Sequence, residues 1–242
     1  MNPALILTHN NLDLTKQCVE SLRKQDIPVD VFVADNGSSD KTVEWTQQEQ
    51  IPCLTFLTNT GFSYGINMGL KWVFELTGAD YCLVPGSDTI LPTAYYSTLL
   101  ELNLPVVSGV QELDGRRVTM EDLEKPFSVQ PLNSNPDFSC LLWRKETWEK
   151  LGGLDERMVN YASDNDLHLR AHRSGLVMTS ARVPFFHYGS STINNAPARE
   201  KREIEMQADA DRLTFAEKWG FRIGSPQYHA QFGPEFFGAA KK

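Results

Sequence analysis

Cysteine is scarce. The four residues Cys18, Cys53, Cys82 and Cys140 are scattered, with no CxxC pair. That spacing offers neither a disulfide framework nor a zinc site; it suits small core residues in a reducing compartment, so the expected location is cytoplasmic. Long hydrophobic runs are missing too, since nothing approaches the ~18 apolar residues of a membrane span. The start, MNPALILTHN, has no basic region and too short an apolar core for a signal peptide, and reads as a first strand. Positive charge is in deficit: 23 Lys and Arg face 31 Asp and Glu, a net charge of -8. Such a chain is repelled by polyanions, which argues against a nucleic-acid partner. Neither an internal repeat nor a Gly/Ser-rich linker divides the 242 residues, so one domain over 1–242 is expected.

What is present alternates. ALILT is a short apolar strand, and the segment after it carries helical spacing at Leu14, Cys18, Val19 and Leu22, with Asp13 as the expected cap. VDVFVAD has period two and leads into a helix at KTVEWTQQEQ. CLTFL, a helix from Gly61 to Gly78, YCLVP, a helix started by Pro92, and PVVSGV follow. Strands alternating with helices predict a mostly parallel, Rossmann-like sheet flanked by helices on both faces. Ligands of such sheets sit at the carboxyl ends of the strands. Thr8, His9 and Asn10, then Asp35 and Asn36, Asn59 and Gly61, and Asp88 each follow one strand, and so converge on one edge. From Gln111 to Asp137 the chain is polar and turn-rich, expected as a hairpin or loop over the site. SCLLWRKETWEKLGGLDE reads as strand, turn and helix, SDNDLHLRAHRSG as a helix, and 197–219 as a long amphipathic helix with Pro197 in its first turn.

Several stretches carry two readings each. VADNGSSDKT is a turn in which Ser39 or Asp40 caps the next helix; it is equally a nucleotide pocket in which Asp35 accepts a hydrogen bond from a base or ribose. NTGFSYGINMGLK spaces Gly61, Gly65 and Gly69 four apart, on one helix face, for close packing on a strand or ligand; no phosphate-loop Lys-Ser/Thr follows. Asn59 and Asn67 there are candidates for polar ligand contacts. In YASDNDLHLR, Ser163 and Asp166 fit a capping box. Asp164 is not needed for it, and as an acid near a positive helix end is expected to stay ionised at neutral pH.

Six stretches, VADNGSSDKT, NTGFSYGINMGLK, YCLVPGSDTILP, LGGLDERMVNYASDNDLHLR, FFHYGSST and FAEKWG, stand in the order found in family 2 glycosyltransferases, which the chain resembles over residues 5–220. The resemblance implies the GT-A fold, a nucleotide-diphosphate sugar donor, a saccharide or other hydroxyl acceptor, and inversion at the anomeric carbon. It places nucleotide binding in 1–110, the acceptor and catalytic half in 111–220, and a tail in 221–242 whose Phe236 and Phe237 could anchor it or meet a partner subunit in a homo-oligomer. On the family pattern Asp164 is the catalytic base and Asp88 the metal ligand, joined by His187. Thr8, Asn10, Asp35, Asn36, Asn59, Gly61 and Asn67 hold the nucleotide, and Trp143 and Arg144 shape the acceptor or diphosphate side. The implied cofactor is Mn²⁺ or Mg²⁺, and an oxygen/nitrogen ligand pair tilts the choice toward Mn²⁺. Gly86 and Ser163 depart from the pattern, where polar or acidic residues are usual. Those departures motivate an alternative, a nucleotide-sugar-binding protein that has lost catalysis. A sugar-1-phosphate nucleotidylyltransferase would need a Gly-rich basic loop after strand one, where this chain has THNNLDLTKQ.

Overall fold

The computed structural model describes residues 1–132, 134–189 and 198–232. The expected helix start at Pro197 and the tail residues Phe236 and Phe237 lie outside them. Alternation of apolar side chains along each strand dictates a sheet buried on both faces. β1 (Pro3–Thr8), β2 (Asp30–Asp35), β3 (Cys53–Thr55), β4 (Tyr81–Pro85), β6 (Val106–Val110), β9 (Cys140–Arg144) and β10 (Met178–Pro184) form it. Their order is β10-β6-β9-β4-β1-β2-β3, parallel except at β9, which runs against β4 and β6.

Period two sorts the strand residues between two cores. Ala4, Ile6, Val33, Leu83 and Leu142 pack under α1 (Leu12–Arg23) and α4 (Tyr95–Glu101). Leu5, Phe32, Ala34, Cys82 and Leu141 pack under α3 (Phe62–Thr77), α5 (Lys145–Leu151) and α6 (Ser163–Arg173). α3 lies close on β1 because it presents glycines there. A Cβ on Gly65 would come within 2.7 Å of the Leu7 side chain, and one on Gly69 within 2.8 Å of Leu5. α2 (Thr42–Gln48) follows β2 with Lys41, not Ser39 or Asp40, at its boundary; Asp40, one residue further out, accepts from the Thr42 amide at 3.0 Å.

Some boundaries differ from the sequence reading. Asp13 lies inside the first turn of α1, with Asn11 at the boundary, because Asp40 already accepts from the Leu12 amide. The helix after Pro92 begins at Tyr95; the Pro92 carbonyl takes the Tyr95 amide and the buried Gln25 side chain. β9 passes into α5 without a turn. The expected hairpin over 111–137 exists as β7 (Glu112–Leu113) and β8 (Arg116–Arg117). β5 (Thr89–Ile90) and β11 (Phe186–His187) pair antiparallel as a separate two-stranded ribbon. A third core of Met158, Ala162, Leu169, Phe215, Tyr228 and Phe232 ties α6 to α7 (Ala198–Trp219) and the short α8 (Pro226–His229). Among the described residues no helix is long and apolar enough to cross a membrane.

Candidate active site

The carboxyl ends of the parallel strands supply one edge of polar groups. At the end of β2, Asp35 is fully buried; Oδ1 accepts from the Ser38 amide at 3.0 Å, and Oδ2 has no hydrogen-bond partner. Its neighbour Asn36 is committed to the loop after β3. Its Nδ2 donates to Asn59 Oδ1 and to the Gly61 carbonyl, both at 3.1 Å, while its Oδ1 accepts the amide and hydroxyl of Thr60, both at 2.8 Å. Asn59 Oδ1 also accepts the Gly61 amide. Gly61, at φ 84°, opens α3 where a Cβ would strike Val159. Asn10, itself at φ 53°, locks to the β2 turn by accepting the Ser39 amide at 2.7 Å. The Thr8 hydroxyl is buried against that of Thr15, 2.7 Å away. Of the expected nucleotide contacts, then, Asp35 has an acceptor to spare. The side chains of Thr8, Asn10, Asn36 and Asn59 and the backbone of Gly61 are bonded within the protein.

The β5–β11 ribbon sets His187 opposite Thr89, and so brings His187 Nε2 within 3.1 Å of Asp88 Oδ1. His187 Nδ1 lies 3.1 Å from Gln111 Oε1. Each ring nitrogen of His187 thus faces an oxygen, Nδ1 that of Gln111 and Nε2 that of Asp88. The 3.1 Å between Asp88 Oδ1 and His187 Nε2 also matches two cis ligands of one cation, which at ~2.1 Å from an octahedral ion lie ~3 Å apart. Among the described residues no group of three or more His, Cys, Asp or Glu side chains converges on a metal. The pair therefore fits an ion whose shell is completed by ligand oxygens and water. Gly86 is explained by packing: a Cβ there would sit 3.2 Å from Asp88 Oδ1 and 3.3 Å from the Ser139 carbonyl that receives the Gly86 amide.

Asp164 occupies the first turn of α6, half-buried, one residue after Ser163 and two after Ala162, which holds φ 63°. Burial pushes its pKa up, against the lowering effect of the Asn165 and Asp164 amides, and the Asp137 charge adds to the rise. Desolvation thus outweighs the helix end in setting the direction of the shift. Asp137 itself was not anticipated. The signal was an acid just before β9, a strand whose antiparallel course brings that end to the same edge as Gly86.

The structure corrects the reading of Asp166. Neither Ser163 nor Ala162 caps α6 through a side chain, and Asp166 forms no capping box. It is fully buried, and it accepts from Arg170 Nε at 2.7 Å, Lys218 Nζ at 2.6 Å and Trp219 Nε1 at 2.9 Å. Three donors from two helices claim both oxygens, so it cannot serve the backbone. Three other residues also lie away from the cleft edge. Trp143 is 1% exposed, wedged edge-on between Phe138 and Trp148. Arg144 pairs with Tyr81 at the opposite edge of the sheet, over the Tyr81 ring and bonded to Asn103. Asn67 clasps the GGLDE turn through the Leu154 backbone and Glu156.

Residues 4–102 match the family model described as Glycosyl transferase family 2. No curated protein matches the chain. Among solved structures, S. aureus TarS 1–349 aligns with a TM-score of 0.59 at 17% identity, over 96% of this chain and 78% of that one. The same fragment in complex with UDP-GlcNAc gives 0.55 at 17%, over 96% and 78%. The mannosyltransferase PcManGT from Pyrobaculum calidifontis, in complex with GDP-Man and Mn2+, gives 0.51 at 14%, over 94% and 77%. At such identities the likeness speaks for the fold. The family model thus supports the resemblance read in the sequence over residues 4–102, and the chain carries the GT-A fold of the transferases it resembles.

Proposed function

We propose that this protein transfers a sugar from a nucleotide-diphosphate donor to an acceptor hydroxyl, with inversion and with the help of a divalent metal ion. The observation that carries the reading is the meeting of Asp88 and His187 at 3.1 Å, on the edge where Asp35 keeps an unpartnered oxygen. Neighbouring structures hold UDP-GlcNAc in TarS and GDP-Man with Mn2+ in PcManGT, which supports a donor of this class and a metal beside it.

Asp35 Oδ2 receives a donor N–H or O–H of the nucleoside. Asp88 and His187 would hold the ion, which when bound would supply positive charge to neutralise the departing diphosphate. Asp164 accepts the proton of the acceptor hydroxyl while that oxygen attacks the anomeric carbon from the face opposite the diphosphate. The bond from carbon to diphosphate oxygen breaks, and the nucleoside diphosphate leaves with the electron pair. A carboxylate raised by burial is a stronger base than one in water, which suits this role. The three buried cysteines take no part: Cys18, for example, is pushed up to about 12 by burial. All four cysteines are free, in keeping with the proposed cytoplasmic location.

Calorimetric titration of UDP, GDP and dTDP, with Mn²⁺ or with chelator, tests the metal bridge. The nucleotide that binds should do so more tightly with metal, and Asp88→Ala should erase the difference. Equal affinity in both conditions, for every nucleotide that binds, would refute it.

A further inference from the structure

A buried acid interrupts the inward stripe of α7. Ala208, Asp211 and Phe215 are its buried positions, and Asp211 is 0% exposed. Asp211 Oδ1 accepts the Val159 amide at 2.9 Å and Gln207 Nε2 at 2.8 Å. Its Oδ2 accepts the amides of Asn160 and Tyr161, both at 2.8 Å. Three consecutive backbone N–H groups therefore end on one carboxylate borrowed from a helix about fifty residues on. The next residue, Ala162, is in the left-handed region at φ 63°, with no glycine to ease it. That conformation is unfavourable for a residue with a Cβ, and persists only where the surroundings enforce it. Asp164 stands two residues later, and the Asp166 amide bonds back to the Ala162 carbonyl at 2.9 Å.

We propose that Asp211 is a positioning residue for sugar transfer: by gathering the amides of 159–161 it imposes the turn at Ala162, and so fixes where the Asp164 carboxylate enters the cleft. The inference rests on the reading of Asp164 as the base. The far side of the same strap reaches the donor wall. The Ser63 amide donates to the Val159 carbonyl at 3.0 Å, and the Phe62 amide to Asn160 Oδ1 at 2.9 Å. The strap is thus held between the helix that opens at Gly61 and α7, and the charge-assisted half of that grip is Asp211. An Asn at 211 keeps the shape but replaces one acceptor oxygen with an N–H₂ that faces amide donors.

The test is Asp211→Asn, read as turnover against donor affinity. Nucleoside diphosphate release from the donor should fall about a hundredfold, the scale of an ångström-sized misplacement of a reacting group. Nucleotide affinity should stay within about twofold. In an Asp164→Asn background the added Asp211→Asn should cause no further loss, because it acts through the carboxylate already removed. Parent turnover in Asp211→Asn, a parallel loss of turnover and affinity, or additive losses in the double variant would each overturn the proposal. Should Asp211→Asn not fold, hydrogen exchange of the unmodified protein decides: the amides of Val159, Asn160 and Tyr161 should be as protected as those of α6, and rapid exchange at all three would sink the idea. An active Asp164→Asn protein would instead sink the base assignment itself. It is distinguishable, because each outcome that overturns the present inference leaves the loss of activity in Asp164→Asn intact.

Discussion

A buried acceptor without a partner costs about 1–3 kcal/mol, and Asp35 Oδ2 is held in that state at the end of β2. A nucleoside donor group there would recover the cost, so Asp35→Ala should weaken nucleotide binding by about 1–3 kcal/mol in calorimetry. Unchanged affinity would leave Asp35 a turn residue that only receives the Ser38 amide. Asp164 carries the second residue-scale consequence. Its pKa is raised by burial first, and by Asp137 next, so the ionised form is disfavoured in the folded protein. Activity that needs the base should therefore fade, as pH drops, above the usual carboxylate range. The sign for stability is opposite: the folded state gains as pH falls from the raised pKa toward that of the unfolded chain. Asp164→Asn should accordingly raise the Tm at neutral pH while removing function, and a lowered Tm in scanning calorimetry would contradict this balance. The place of Asp164 in the first turn of α6 was legible from its motif, whereas the direction of its pKa shift was not. A helix end is a local feature, but desolvation depends on what the rest of the chain places around it.

Short and distant pairings separate what the elements disclosed from what they hid. β1, β2 and β4 were readable because each buries alternate residues in two cores, and α3 because its glycines recur on the face that meets Leu5 and Leu7. The β5–β11 ribbon has two residues on each side, too few for any periodicity, yet it creates the contact of Asp88 with His187. Asp166 misled for a related reason. Ser163 and Asp166 have capping-box spacing, but Lys218 and Trp219 on α7 and Arg170 one turn along take the carboxylate. Removing one member of a buried ion-pair group leaves the others without a counter-charge, at about 3–5 kcal/mol. Asp166→Asn, which keeps some hydrogen bonding, should lower stability by up to that amount in denaturant titration, with the nucleotide affinity of the folded fraction preserved. A variant as stable as the parent would mean that α7 docks without this anchor.

At the scale of the molecule, one edge of the sheet gathers Asp35, Asp88 with His187, and Asp164, from strands and helices spread over the chain. The protein as a whole is acidic, with a net charge of -8, and its proposed donor is an anion. A cation held by Asp88 and His187, as proposed, would ease that conflict locally, and would make the site dependent on an ion that no single segment could hold. The mostly parallel sheet and its polar edge follow from alternating strands and helices, which is why the architecture could be read early, whereas the insertion of antiparallel β9 between β6 and β4 could not. The clamp from α7 onto the strap before Asp164 could not, since its only trace is one acid in a buried helical stripe. The most direct measurement is release of nucleoside diphosphate from a nucleotide sugar that binds in the presence of Mn²⁺, compared between the parent protein and Asp164→Asn. The account predicts release by the parent, and a loss of about 10² to 10⁴ in rate for the variant at unchanged donor affinity. A variant that releases product at the parent rate, or a parent that binds donor and never turns it over with any hydroxyl acceptor, would contradict it.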